Sequence, residues 1–202
     1  PALSGEIPTK NVIIATGSAP RLLAGLEIKA PRVVTSDELL DFDHVPKSMI
    51  VLGAGAVGVE FASVFKRFSS DVTIIEMLDR LVPIEDEETS AELQRAFRRR
   101  GITSLVSTRF ESAKVNESGV EVTYTGADGK RGTIGAETLL VAVGRRPYTD
   151  GLGLENTKCE VDRGFIKVDK YMRAAEPNVY AIGDVVGRPL LAHVASKEGC
   201  PA

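Results

Sequence analysis

Apolar residues recur along the chain in three rhythms, and each predicts a different element. Short unbroken runs, Val12-Ile13-Ile14-Ala15, Met49-Ile50-Val51-Leu52, Val72-Thr73-Ile74-Ile75 and Thr138 to Val143, read as buried strands. From Val57 onward Phe61, Val64, Phe65 and Phe68 fall at helical spacing, which predicts a helix with one buried face. A second helix is expected from about Asp86 to Arg100, followed by a strand near Ile102 to Val106. It opens in Glu85-Asp86-Glu87-Glu88, closes in Arg98-Arg99-Arg100 and stops at Gly101, which complements the helix dipole and supplies a C-terminal stop. The arginines therefore read as a solvated helix end. Alternating runs at 110–116, 119–125 and 130–134, parted by Glu117-Ser118-Gly119 and Ala127-Asp128-Gly129, predict a three-stranded antiparallel meander.

These elements make residues 46–145 a compact α/β unit, a parallel sheet with helices plus the meander. Before it, Pro20 and Pro31 punctuate a loop-rich link, and Asp43-His44-Val45-Pro46 leads in. After it, Pro147, Gly151 and Gly153 mark a loop, while Phe165-Ile166-Lys167-Val168 and Asn178 to Ile182 read as strands. Residues 1–45 and 146–202 hold too few elements for two complete domains, so both read as pieces of one body.

Composition narrows the function classes. The 202 residues are 43% hydrophobic and 26% charged with a net charge of −3, an ordinary globular balance. It gives no electrostatic case for nucleic acid or an anionic membrane surface. Cys159 and Cys200 form neither a C-x-x-C nor a metal pattern, and His44 and His193 are too isolated for a metal site. The stretch 48–65 is apolar enough to raise a membrane span, but Glu60 and the glycines argue against lipid. Pro1 to Lys10 show no signal pattern, so a cytoplasmic protein is expected.

The candidate chemistry lies in Gly53-Ala54-Gly55-Ala56-Val57-Gly58, between a predicted strand and a predicted helix. Glu76 ends the next strand, which completes the strand–glycine turn–helix–strand–acid order of a dinucleotide site. Gly53 permits the tight turn, Gly55 lets backbone N–H groups approach a pyrophosphate, and Gly58 lets the helix pack closely. The helix start offers unpaired N–H donors and a positive dipole end to phosphate. Glu76 is placed to accept from both adenosine ribose hydroxyls and to repel a 2′-phosphate, which favours NAD over NADP. Met77, Leu78 and Asp79 follow it without a basic residue; Arg80, four residues on, leaves the NADP alternative open.

With these residues in view the chain resembles the flavoprotein pyridine nucleotide-disulfide oxidoreductases, and within them the dihydrolipoamide dehydrogenases. Five landmarks occur in family order over essentially the whole chain: Ile14-Ala15-Thr16-Gly17-Ser18, the fingerprint from Gly53 to Glu60, Glu76, Val143-Gly144-Arg145-Arg146-Pro147, and Ala181-Ile182-Gly183-Asp184. Leu191-Ala192-His193 with Glu198-Gly199 points to the dihydrolipoamide dehydrogenase type, and Val82-Pro83 with Arg99-Arg100-Gly101-Ile102 agrees. The resemblance implies a Rossmann-like FAD/NAD(P)-binding fold in which 46–145 binds NAD and 1–45 with 146–202 are partial FAD-domain segments. It implies that Thr16-Gly17 and Gly183-Asp184 lie beside FAD, with Asp184 on its ribityl chain. It also implies that Glu60, Val143 and Gly144 lie near the nicotinamide end, and that Ala192 meets the flavin through backbone. His193 is then positional, and no catalytic residue is expected within the chain.

The family also begins with an FAD glycine fingerprint and a C-x-x-x-x-C redox disulfide, and ends with a dimerisation domain carrying a catalytic His–Glu pair. None of these occurs here, so the chain reads as a central fragment that binds NAD without turning over substrate. In the parent the resemblance implies FAD, a lipoyl substrate, a homodimer partner, and electron flow from a dithiol through FAD to NAD⁺. Two alternatives stand beside it. One is a non-catalytic NAD(H)-binding module; the other is a related flavoprotein such as an NADH oxidase or a glutathione reductase relative.

Overall fold

The computed structural model describes residues 5–200, so the outermost residues of the predicted flanking segments, 1–4 and 201–202, lie outside the described part. The chain divides into two compact units. One is Pro20–Gly144; the other combines the residues before it with those from Arg145 on.

In Pro20–Gly144 the strand order across the sheet is Val33–Val34, Thr138–Val141, Ser48–Leu52, Asp71–Ile75, Thr103–Leu105, all parallel. Helix Ala56–Arg67 crosses from Ser48–Leu52 to Asp71–Ile75, and helix Glu87–Arg99 crosses from there to Thr103–Leu105. The meander forms as Arg109–Asn116, Gly119–Thr125 and Arg131–Ala136.

The unbroken apolar runs arise because the sheet is covered on both faces. Successive side chains point to opposite sides of a strand. Met49, Val51, Val72, Ile74 and Leu140 accordingly pack with Val59, Ala62, Phe65 and Phe97 of the helices. Ile50, Leu52, Ile75, Leu139 and Val141 pack on the other side with Val120 and Val122 of the meander.

The boundaries differ from the expected 46–145. Residues from Pro20 join the sheet unit because Val33 and Val34 pair with Leu139 and Leu140, and both are fully buried. The fingerprint helix also presents a different face from the one its periodicity predicted. Gly58, Val59, Ala62 and Phe65 face inward, whereas Val64 and Phe68 are 44% and 59% exposed. Close approach at Gly58 fixes this rotation, so Gly58 and Ala62 meet the sheet together with Phe65, and Phe61 packs partly buried against the same core. The arginine cluster is likewise only partly solvated. Arg100 donates to Ser63 Oγ at 2.9 Å and to the Ser63 carbonyl at 3.0 Å, joining the two helices.

In the flanking unit Val12–Ile14 runs parallel to Val179–Ala181, and Val161–Asp162 pairs antiparallel with Phe165–Ile166. The expectation that the first of these strands is buried fails. Val12 and Ile13 are 43% and 51% exposed, because this strand belongs to a two-stranded ribbon. A short helix, Ala192–Glu198, closes the described part.

Candidate nucleotide-binding site

The parallel strands of the sheet unit all end at one edge, and the glycine turn lies there. Gly53 N donates to the Ile75 carbonyl at 2.9 Å, and Ala142 N to the Leu52 carbonyl at 2.8 Å. Three strand ends therefore meet at Gly53, with Val143 and Gly144 in the turn that follows the neighbouring strand Thr138–Val141. Open α/β sheets bind ligands at this carboxyl edge.

The three glycines divide the work as their spacing predicts. Gly53 has φ +102°, and a Cβ on it would collide with the Ala142 carbonyl. A Cβ on Gly58 would collide with the Gly53 carbonyl and stand 3.3 Å from Val51 Cγ1. Gly55 differs: nothing lies within 4 Å of where its Cβ would be. It is the N-cap of Ala56–Arg67 and supplies no side-chain cap, so first-turn donors, including those of Ala56 and Val57, are left for another acceptor. Tight packing at two glycines and open space at the third is the shape a phosphate group requires.

Glu76 is 9% exposed, and its carboxylate closes the turn. Oε2 accepts from Ala54 N at 2.7 Å and Oε1 from Leu78 N at 2.8 Å. Each oxygen retains a lone pair, so two further donors, such as a pair of ribose hydroxyls, fit the remaining valence. Val82 N donates to the Ala54 carbonyl at 2.8 Å, so both backbone groups of Ala54 are held by the segment 76–82. Val82 makes this bond at φ +41°, a left-handed conformation that is unfavourable for a β-branched residue. Nothing in the hydrophobic pattern marks Val82 for this role. Glu60, at the start of the second turn of the helix, is exposed with no hydrogen-bond partner among the described residues.

The second group of predicted residues lies in the flanking unit. Thr16-Gly17 and Gly183-Asp184 follow paired parallel strands, and Ile182 N donates to the Ile14 carbonyl at 3.0 Å. Asp184 Oδ2 accepts from Ser18 Oγ at 2.5 Å, and Arg145 donates to Ser18 Oγ at 2.6 Å and to the Ser18 carbonyl at 2.7 Å. The other Asp184 oxygen has no protein partner among the described residues, so the carboxylate can take a ligand hydroxyl. Thr16 Oγ1 donates to the Tyr148 carbonyl at 2.6 Å, and Gly183 N to Glu198 Oε2 at 2.7 Å. Ala192 and His193 are exposed at the start of the last helix. Ser18, Arg145 and Glu198 stand within recognisable motifs, but their roles depend on pairings between distant stretches that no spacing reveals.

Residues 3–199 match the family described as pyridine nucleotide-disulphide oxidoreductase. The chain belongs to this family. Relatives of this oxidoreductase family include a dihydrolipoyl dehydrogenase of Chlorobaculum tepidum, 45% identical over 193 residues, which cover 96% of this chain and 41% of the relative. The dihydrolipoyl dehydrogenase of Bacillus subtilis is 41% identical over 94% of this chain and 40% of its own. Among solved structures, LpdA from Mycobacterium tuberculosis superposes with a TM-score of 0.85 at 33% identity, covering 95% of this chain and 41% of that one. The flavoprotein disulfide reductase RclA from Escherichia coli gives 0.84 at 29%, covering 96% and 44%. The chain thus spans about two fifths of the length of these relatives. The cofactors of the family are FAD and a pyridine nucleotide. Among the described residues no helix is long and apolar enough to cross a membrane, and no three His, Cys, Asp or Glu residues form a metal-binding cluster.

Proposed function

We propose that this chain is the NAD-binding portion of a dihydrolipoamide dehydrogenase, a dithiol:NAD⁺ oxidoreductase that works through FAD. The observation that carries the nucleotide assignment is the double anchoring of Glu76, to Ala54 N inside the glycine turn and to Leu78 N after it. Ribose recognition and phosphate approach are thereby fixed by one hydrogen-bonded unit. Relatives at 40–45% identity that are named dihydrolipoyl dehydrogenases support the substrate class.

When bound, FAD and NAD⁺ supply the redox chemistry, in which a hydride passes to the nicotinamide after the dithiol has reduced the flavin. The protein groups bind and orient. Gly55 and the first-turn N–H groups of Ala56 and Val57 receive the pyrophosphate, while Gly53 and Gly58 keep that turn tight. Glu76 takes the adenosine ribose, and Glu60, Val143 and Gly144 flank the nicotinamide end. Thr16, Gly17, Gly183, Asp184 and Ala192 belong to the flavin side, where Ser18 and Arg145 hold the Asp184 carboxylate in place. The lipoyl substrate and a homodimer partner belong to the longer protein, and a cytoplasmic setting is part of the same proposal.

Calorimetric titration with NADH and NADPH tests the assignment. NADH is expected to bind in preference, and Glu76→Ala to weaken it about tenfold or more, the size of lost charge-assisted hydrogen bonds. Equal binding of the two nucleotides, unchanged by Glu76→Ala, would overturn it. The 202-residue chain by itself is expected not to oxidise dihydrolipoamide, since its two cysteines are free and unpaired; turnover by the purified chain would refute that.

A further inference from the structure

The segment after Glu76 carries a single basic residue, Arg80, among Asp79, Glu85, Asp86, Glu87 and Glu88. Its guanidinium is folded back onto the start of helix Glu87–Arg99. Nη1 donates to Glu87 Oε1 at 2.8 Å and Nη2 to the Pro83 carbonyl at 3.2 Å. Nε is buried and has no partner among the described residues. A buried N–H without an acceptor is uncommon, and it marks a cation that is held in place without being fully satisfied.

Arg80 also stands close to the ribose-binding groups. Glu76 Oε2 binds the amide of Ala54 and Val82 N binds its carbonyl, so the carboxylate and the Val82 amide flank one residue. That arrangement keeps them within about 10 Å of each other. Arg80 precedes Val82 by two positions, so it lies on the segment that runs from the carboxylate to that amide, and its long, flexible stem allows the guanidinium more than one partner there.

We propose that Glu87 sets the nucleotide selectivity of this site by sequestering Arg80. With the guanidinium held at the helix start, a ribose meets only the Glu76 carboxylate, and a 2′-phosphate finds repulsion without a counter-charge. Released from Glu87, Arg80 offers that phosphate a forked donor of matching geometry. The inference rests on the nucleotide assignment above. The Glu87 side chain is 83% exposed and that of Arg80 29%, so the pair itself is weak. Breaking it leaves the fold intact while changing which anion Arg80 faces. An acid in the first turn of a helix has a stabilising role of its own, so the deciding readout is a ratio of affinities rather than stability.

The test is calorimetric titration of the full chain with NADH and with NADPH. The proteins compared are the unaltered chain, Glu87→Ala, Glu76→Ala, the double variant, and the double variant with Arg80→Ala added. Glu87→Ala is expected to leave NADH affinity within about twofold and to strengthen NADPH about two- to fivefold, the size of an exposed ion pair. The gain should be larger in the Glu76→Ala background and vanish when Arg80 is removed. NADH binding with a nucleotide ratio that Glu87→Ala moves in neither background overturns this inference alone. So does a gain that survives Arg80→Ala, since loss of negative charge would then account for it. Failure of the unaltered chain to bind either nucleotide overturns the nucleotide assignment and this inference with it.

Discussion

The sheet unit and the flanking unit fix their site residues by different means. Around the glycine turn the two faces of the sheet bury clusters of fifteen and eight apolar residues. The flanking unit buries a cluster of three, Ile166, Ala181 and Val185. The residues proposed for its ligand side are instead tied by polar links, Arg145 to Ser18 to Asp184 and Gly183 to Glu198. Shape is therefore the property to perturb in one unit, and hydrogen bonding in the other. A turn held by packing tolerates no added atom at Gly58, whereas a carboxylate held by a serine and an arginine depends on donors that a single substitution removes.

Five substitutions, beginning with the largest expected effect, test that contrast. Ile74→Ala removes a fully buried side chain from the helix face of the sheet and is expected to cost about 2–5 kcal/mol. Urea denaturation gives the loss, and hydrogen exchange should place it in Ser48–Leu52, Asp71–Ile75 and Thr138–Val141 while amides of Val179–Ala181 are little affected. An equal loss of protection in both units would erase the distinction.

Gly58→Ala places a methyl against the Gly53 carbonyl and is expected to cost about 1–3 kcal/mol and to abolish NADH binding. Gly55→Ala sharpens the point. Its added methyl meets open space, so stability should change by about 1 kcal/mol or less while NADH binding still weakens. Parallel losses of stability and affinity at both positions would mean that Gly55 has no special place at the phosphates.

Ser18→Ala strips Asp184 and Arg145 of a shared partner and is expected to destabilise the flanking unit by about 1–2 kcal/mol. NADH affinity should not move; a tenfold drop would show that the polar links of the flanking unit also shape the glycine turn. A last, small effect concerns Thr35, which caps the helix Ser36–Leu40, where Glu38 Oε2 accepts from Thr35 N at 2.7 Å and from its hydroxyl at 2.6 Å. The Thr35 hydroxyl holds the Glu38 carboxyl below its ordinary value of 4.5. A carboxyl lowered in the folded state adds stability above its unfolded pKa and loses it as pH falls through the folded one. Thr35→Ala should cost about 1 kcal/mol near neutral pH, with the gap narrowing below pH 4.5. A gap constant across that range would separate the cap from Glu38.

The parts of the molecule legible in the sequence are those whose causes are local. Unbroken apolar runs signal a doubly covered sheet, Asp128-Gly129 signals a turn, and the spacing from Gly53 to Glu76 signals a glycine turn closed by an acid at the carboxyl edge of the sheet. Burial of small residues is not legible, because hydropathy weighs Val64 and Phe68 above Gly58 and Ala62, while close approach at Gly58 turns Val64 and Phe68 outward. The edge strand Val33–Val34 is two residues long, and its partner Thr138–Val141 lies far along the chain, so the boundary fell at 46 instead of 20. The link between Arg145 and Ser18 spans 127 positions and leaves no local trace. Val82 is the extreme case, since its left-handed backbone contradicts both its β-branched side chain and the proline after it.

The bond from Arg21 N to the Gly144 carbonyl, at 2.9 Å, has a consequence for the order in which this protein is made. It joins the two ends of the sheet unit, so everything between them is an insertion whose entrance and exit touch. A ribosome delivers that insertion complete before Val179–Ala181 exists, so the middle of the chain can fold while Val12–Ile14 still waits, half exposed, for its partner. Val12–Ile14 is thus paired only after the whole insertion has been made, and the interval is set by the length of the guest that separates it from Val179–Ala181.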